Sequence, residues 1–237
     1  ASRGLGAALT QAAANLGAQT IMLARTVKDM EAIADDCLRQ GSLEPSIVPM
    51  NLEGATIDDY RMVIDSLIST FGRLDGLVLN AAHLGDLTPI AEYDAVNWAR
   101  VFQINLHSQF LLLQAALPHL NQAEDGSVIV STADVGRRSR AYWGAYAVSK
   151  FASEGLVQPL ADELVSTTSR INAINPGKMK TRLRAQAYPA EDANLLVAPS
   201  DVVKSFIFLL GAAGTAYNGH SLDAQTQFPG SSQSSCN

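Results

Sequence analysis

The strongest constraint in this chain is an alternation between two apolar periods. Short apolar runs lie at 18–24 (AQTIMLA), 45–50 (PSIVPM), 74–80 (LDGLVLN), 126–132 (GSVIVST) and 170–175 (RINAIN), each bounded by turn residues or charges. Near-continuous apolarity over so short a length predicts strands buried on both faces. Between them lie stretches of helical period at about 4–17, 27–40, 56–72, 93–120 and 144–167, with a last one near 200–210. Regular strand–helix alternation implies an α/β fold, with parallel strands joined by crossover helices. Thr26 and Ser200 are the expected N-caps of the second and last helices. The segment 178–199 fits neither period and is expected to be a flap between strand and helix. The polar tail 229–237 is expected to be disordered. No Pro/Ser linker or repeat interrupts the pattern, so residues 1–237 are expected to form a single domain.

Composition narrows the class. Hydrophobic residues make up 47% of the 237 and charged residues 17%, which suits a folded core and argues against disorder. A formal net charge of -6 disfavours a broad nucleic-acid-binding face. Cys37 and Cys236 match neither a zinc spacing nor a disulfide framework, which fits a reducing cytoplasm. His107 and His119 suggest no metal site. No uncharged apolar run reaches the roughly 20 residues needed to span a bilayer, so no membrane partner is expected.

Two stretches carry chemistry. In ASRGLGAALTQ, Gly4 and Gly6 look like the end of a phosphate-cradling turn that opens a helix. In AYAVSK, Tyr146 and Lys150 lie four residues apart and share a helix face. A phenol ordinarily titrates near ~10, and an adjacent ammonium is expected to lower that value. The pair could then exchange a proton with a carbonyl or hydroxyl substrate.

With these residues in order, the sequence resembles the short-chain dehydrogenase/reductase family. SRGLG matches the end of its Thr-Gly-x-x-x-Gly-x-Gly loop. LNAA at 79–82 resembles its Asn-Asn-Ala-Gly stretch, VFQINLHSQF aligns Asn105 with its helix-four asparagine, YAVSK is its active-site pair, and INPGKMKT at 174–181 is its Pro-Gly motif. The stretches around VGRRSRAYWGAYAVSK and SLDAQ look closest to its bacterial YciK-like members. The resemblance implies a Rossmann-type doubly wound parallel sheet of order 3-2-1-4-5-6-7, with a dinucleotide across the carboxyl ends of the strands. It implies that Tyr146 is the acid in reduction and the base in oxidation. Lys150 would hold the nicotinamide ribose and depress the Tyr146 pKa, and Asn105 would hold a water linking Lys150 to solvent. Ser2, Arg3, Gly4, Leu5 and Gly6 would cradle the phosphates. Asn51 and Leu52 would lie near the adenine, with Asn51 where the family usually has Asp. Asn80, Ala81 and Ala82 would line the groove, and Pro176, Gly177 and Thr181 would touch the nicotinamide end. Arg3 lies inside the glycine loop, and Arg25 ends the second strand, where NAD-specific members often carry an acid. Two cations there favour NADP(H) over NAD(H), the alternative being two surface arginines.

The main departure is Ala133, thirteen residues before Tyr146, where the family usually has serine. Losing one oxyanion donor costs on the order of 10² to 10³ in rate. Ser131 or Thr132 could substitute after a shift, and strand alternation puts Ser131 on the face of Ala133. Otherwise Asp134 reaches in, or the site is weak. The expected function is carbonyl–alcohol interconversion on a small molecule by hydride transfer. The alternative is a catalytically impaired cofactor-binding or partner-binding homologue.

Weaker expectations surround this core. His83 is either a border of the substrate pocket or an ordinary loop histidine. Arg137, Arg138 and Arg140 are expected to be a solvated basic loop at the mouth, with an anionic substrate as the alternative. Tyr188 and Leu195 touch substrate or pack a lid. Helices 93–120 and 144–167 are often the dimer faces in this family, so a homodimer or homotetramer is expected. Finally, a glycine turn of this kind follows a buried strand, and only Ala1, Ser2 and Arg3 precede Gly4. The first strand, about a dozen residues, is therefore expected to be missing from the front of the chain.

Overall fold

The computed structural model describes residues 1–228, so the expected tail at 229–237 lies outside the described residues. The chain runs α1 (Gly4–Asn15), β1 (Ile21–Ala24), α2 (Val27–Arg39), β2 (Ser46–Pro49), α3 (Ile57–Phe71), β3 (Gly76–Leu79) and α4 (Ala95–Phe102). There follow α5 (Ser108–Leu120), β4 (Gly126–Ser131), α6 (Gly144–Glu163), β5 (Ser169–Asn175), α7 (Arg182–Ala187), α8 (Pro199–Leu210) and β6 (Ser221–Asp223). All named strand pairings are parallel. β1 pairs with β2, and β3, β4, β5 and β6 form a second sheet in that order. The backbone nitrogen of Ala1 donates to the Leu23 carbonyl at 2.9 Å, so the chain before α1 runs against β1.

The apolar runs are continuous because helices cover both faces of the larger sheet. Every residue of β4 is buried. Val128 and Val130 pack with Tyr60 and Ile64 of α3, Leu113 of α5 and Val157 of α6. Ile129 points the other way, into Leu5 and Leu9 of α1 and Phe206 and Leu209 of α8. A strand sandwiched in this way loses the polar alternation of a half-exposed one. The long loops begin with strong punctuation. Thr56 and Asp59 form a reciprocal capping box at the start of α3.

Several expectations are corrected. The helix expected over 93–120 runs unbroken over 95–120, but it contains an unforeseen π-helical turn at Gln103–His107 between α4 and α5. The last helix starts at Pro199 with Ala198 as its N-cap, so Ser200 is inside it. A proline at the first helical position sets the backbone angle without losing a hydrogen bond, and it takes precedence over the hydroxyl. Thr26 is the N-cap of α2 by position, but its side chain makes no capping bond. The segment 178–199 contains α7, capped by Thr181, and Met179 bridges Val197 at its base. β6 had no separate signal, being only three residues long. Among the described residues no helix is long and apolar enough to cross a membrane.

Arg170 explains a charge inside β5. Its guanidinium, 5% exposed, pairs with Asp125 and donates to the Leu209 and Gly211 carbonyls at 3.0 Å each. It thus satisfies the open C-terminus of α8. Arg170→Met should leave Asp125 without its cation, while the Leu209 and Gly211 carbonyls keep the Ser127 hydroxyl and the Gly214 N–H. It should therefore cost about 1–2 kcal/mol, read as a lower urea midpoint with unchanged slope.

Candidate active site

Parallel strands bring all their carboxyl ends to one edge, and there the loops that leave them surround one cleft. Its volume is about 760 Å³. Arg25 follows β1, Asn51 and Leu52 follow β2, and Asn80, Ala81 and Ala82 follow β3. Ser131 ends β4, while Pro176, Gly177 and Thr181 follow β5, and Ser2, Arg3, Gly4 and Leu5 lead into α1. Tyr146 and Lys150 of α6 complete the wall. Gly6 and Asn105 are set behind it. Gly6 is buried against Ala1 and the Asn80 amide, and Asn105 is wholly buried.

Lys150 is 2% exposed, and its Nζ donates to the Ser131 carbonyl at 2.7 Å. Burial pulls its pKa from 10.5 down to about 8, with Glu154 one helical turn away pulling it back up. Its ammonium lies 5.9 Å from the centre of the Tyr146 ring. Tyr146 is 6% exposed, and burial followed by the Asp134 carboxylate pushes its phenol up from 10. The expected depression of the Tyr146 pKa by Lys150 is therefore reversed here. The lysine charge is directed at a backbone carbonyl, and desolvation of the phenolate prevails.

Asn105 sits in the π-helical turn. Such a turn is one extra residue in a helix and often marks a functional site. Its amide donates to the His83 carbonyl at 2.9 Å and to the Ser149 hydroxyl at 3.0 Å, while its oxygen accepts from the His83 N–H at 2.7 Å. Asn105 therefore clasps the loop after β3 to α6. His83 does border the cleft. Its pKa is lowered first by burial and then by Arg100.

Ala133 packs with Leu84, Val135, Tyr146 and Trp143. Beside it, the buried Thr132 hydroxyl has no hydrogen-bond partner. Asp134 pairs with Arg140, which donates to the Tyr188 hydroxyl at 2.8 Å. Trp143 bridges Tyr146 and Tyr188, with ring centres 5.8 and 5.7 Å away. The end of the cleft at Tyr146 and Trp143 is thus aromatic, with an ion pair near its rim. Leu195 is 83% exposed and does not line the cleft. The basic loop divides. Arg138 and Arg140 are exposed, but Arg137 is locked to Glu154 and Asp223 and is no solvated charge.

The end of the cleft beside the loops after β1 and β2 has three arginines. Arg3 pairs with Asp29 at 2.8 Å and Arg100 with Glu53 at 2.9 Å. Arg25 is exposed and has no acidic partner among the described residues. The N-terminus of α1 faces the cleft with no side-chain cap. Free helix N–H groups and an unpaired arginine suit a phosphorylated nucleotide. Among the described residues no cluster of His, Cys, Asp or Glu is placed to hold a metal. Arg100, Glu53 and Gln225 also line the cleft and carried no signal of their own. Gln225 lies within SLDAQ and bonds the Pro176 carbonyl at 2.9 Å. Gly177, at φ 78, leaves room for it, since a Cβ there would fall 2.6 Å from the Gln225 amide.

A doubly wound fold with this cleft and a buried Tyr–Lys pair defines a class of nucleotide-dependent oxidoreductases, and comparison with known proteins names the family. The short chain dehydrogenase family model matches residues 1–192. The oxidoreductase YciK of Escherichia coli K12 is 36% identical over 234 residues, which cover 98% of this chain and 92% of that protein. A short chain dehydrogenase structure from Pseudomonas syringae is 42% identical with a TM-score of 0.93, covering 94% of this chain and 91% of that one. One from Shigella flexneri 2a, complexed with NADP, is 36% identical with a TM-score of 0.92, covering 94% and 93%. One from E. coli CFT073, complexed with NADPH, is 37% identical with a TM-score of 0.92 over the same shares. The chain belongs to the short-chain dehydrogenase family, and it is an oxidoreductase acting on small molecules. These relatives are described as dehydrogenases or oxidoreductases, which gives no support to an impaired binding protein.

The Lys150 environment makes a signed prediction. Below about 8 the lysine is charged folded and unfolded, and the folded state bears the full burial cost. Between about 8 and 10.5 only the unfolded chain keeps the proton, so stability relative to Lys150→Met should rise with pH across that window. Urea unfolding of both proteins at several pH values checks this.

Proposed function

We propose that the protein is an NADPH-dependent reductase of ketones or aldehydes. The observation that carries the reading is the buried, neutral Tyr146 phenol beside Lys150 at the strand ends of the cleft. NADPH, when bound, supplies a hydride to the substrate carbonyl carbon. Tyr146 donates its proton to the carbonyl oxygen as charge develops there. A phenol held protonated by its surroundings is ready for this direction, and the developing alkoxide is basic enough to take its proton. Lys150 would hold the nicotinamide ribose of the bound cofactor. Its ammonium, 5.9 Å from the centre of the Tyr146 ring, would stabilise the phenolate left after proton transfer until solvent restores the proton. Asn105 holds the His83 loop and α6 in register, and Ser131 provides the carbonyl that anchors Lys150. Substrates that pack against Trp143, which Tyr188 backs from outside the cleft, suit the apolar end.

The same assignment gives Arg25 the 2′-phosphate of the cofactor, since Arg3 and Arg100 already have acidic partners. Relatives complexed with NADP and NADPH support it. Arg25→Met should weaken NADPH binding by about tenfold and leave NADH binding nearly unchanged, as measured by calorimetry. Equal effects on both cofactors would remove the assignment.

Activity is tested with NADPH and a panel of aromatic and aliphatic carbonyls, following loss of dihydronicotinamide absorbance. Tyr146→Phe should abolish turnover. Ala133→Ser places a hydroxyl beside Tyr146 and should raise kcat by at least about tenfold, since one oxyanion donor is typically worth more than that. Undiminished turnover in Tyr146→Phe would refute the mechanism.

A further inference from the structure

Arg137 joins three parts of the site that are remote in sequence. Its Nε donates to Glu154 Oε1 at 3.1 Å, its Nη1 to Asp223 Oδ1 at 2.9 Å and its Nη2 to the Leu222 carbonyl at 3.0 Å. Glu154 lies one turn beyond Lys150 on α6 and also accepts from the Ser221 hydroxyl. Asp223 accepts from the Asn175 amide at 2.8 Å, and the Asn175 side-chain oxygen accepts from the Gly177 N–H at 3.0 Å. An unbroken polar chain therefore runs from the Tyr146–Lys150 helix, through one guanidinium, to the Pro176–Gly177 turn. The residue before Arg137 tightens the same junction. A Cβ on Gly136 would lie 2.8 Å from the Lys150 Cβ, so the turn after β4 is seated directly on α6 at the lysine.

We propose that Arg137 is a positioning residue, fixing α6 against the Pro176–Gly177 turn and so setting how the nicotinamide end of the cofactor lies against Tyr146. The inference rests on the cofactor reading above. Its physical basis is the planar guanidinium, which donates in fixed directions to Glu154, Asp223 and a carbonyl at once. A lysine ammonium is a point charge on a flexible stem and cannot reproduce that fork. Small errors in the relative placement of reacting groups are costly, so a rigid link between the two walls has catalytic value.

Binding can separate this role from simple stabilisation. The nucleotide 2′,5′-ADP reports the adenosine half of the cleft alone, whereas NADPH reports both halves. Calorimetry with each ligand is applied to the unsubstituted protein, Arg137→Met and Arg137→Lys, with thermal melts to verify folding. Arg137→Met should weaken NADPH by about tenfold while 2′,5′-ADP stays within about twofold, and Arg137→Lys should fall between. Should Arg137→Met fail to fold, Arg137→Lys and Asp223→Asn should show the same split on a smaller scale. Equal weakening of both ligands, or unchanged NADPH affinity in a folded variant, would overturn the proposal. If the unsubstituted protein does not bind NADPH, the cofactor reading fails and takes the inference with it; if it binds NADPH and the substitutions give no such split, the inference fails alone.

Discussion

The site is organised around one positive charge removed from water. Taking an ammonium into a protein interior costs several kcal/mol unless something answers it. For Lys150 the Ser131 carbonyl answers directly, and the Glu154 carboxylate answers through space. That requirement propagates outward. β4 must end at Ser131 with its carbonyl free of a ladder partner on that side. The following turn must lie flat on α6, which is why position 136 holds glycine. Tyr146, one turn earlier on the same helix, inherits the same dry surroundings, which hold its proton in place.

The two ends of the cleft follow different physics. At the end beside β1 and β2, where the proposed cofactor would seat its adenosine, the surfaces are charges and open N–H groups, and pairing decides which of them are available. Arg3 and Arg100 are committed to Asp29 and Glu53, while Arg25 is not. At the substrate end the surfaces are apolar. Ala133 contributes a methyl group to a cluster with Leu84, Val135 and Tyr146, and Trp143 stands between Tyr146 and Tyr188. Charge at that end is confined to a rim, where Asp134 and Arg140 neutralise each other.

The fold was legible because burial on both faces leaves a simple trace, a short unbroken apolar run. Most of the cleft was legible for a related reason. Loops leaving parallel strands converge, so motifs following separate strands fall together once the strands are recognised. What escaped notice depends on partners distant in sequence. Arg137 read as one of three loop cations because its partners, Glu154 and Asp223, lie 17 and 86 residues away. Spacing put Tyr146 and Lys150 on one helix face, but it carried no information on what else surrounds them, and the direction of the tyrosine shift came out reversed. The three-residue β6 is too short to display a period, and the π-helical turn keeps the apolar composition of the helices on either side.

That turn has a consequence for how this chain can vary. Each residue of a helix advances its side chains by about 100°, so one residue more or less re-aims everything beyond it. Asn105 reaches both the His83 loop and Ser149 only because the wider turn at 103–107 resets the phase between α4 and α5. Substitutions on the solvent face of these helices leave the phase intact. A single-residue deletion within the turn would regularise the helix and swing the clasp away, even though every side chain of the clasp survived. What this turn fixes is an angle, set by residue count more than by residue type.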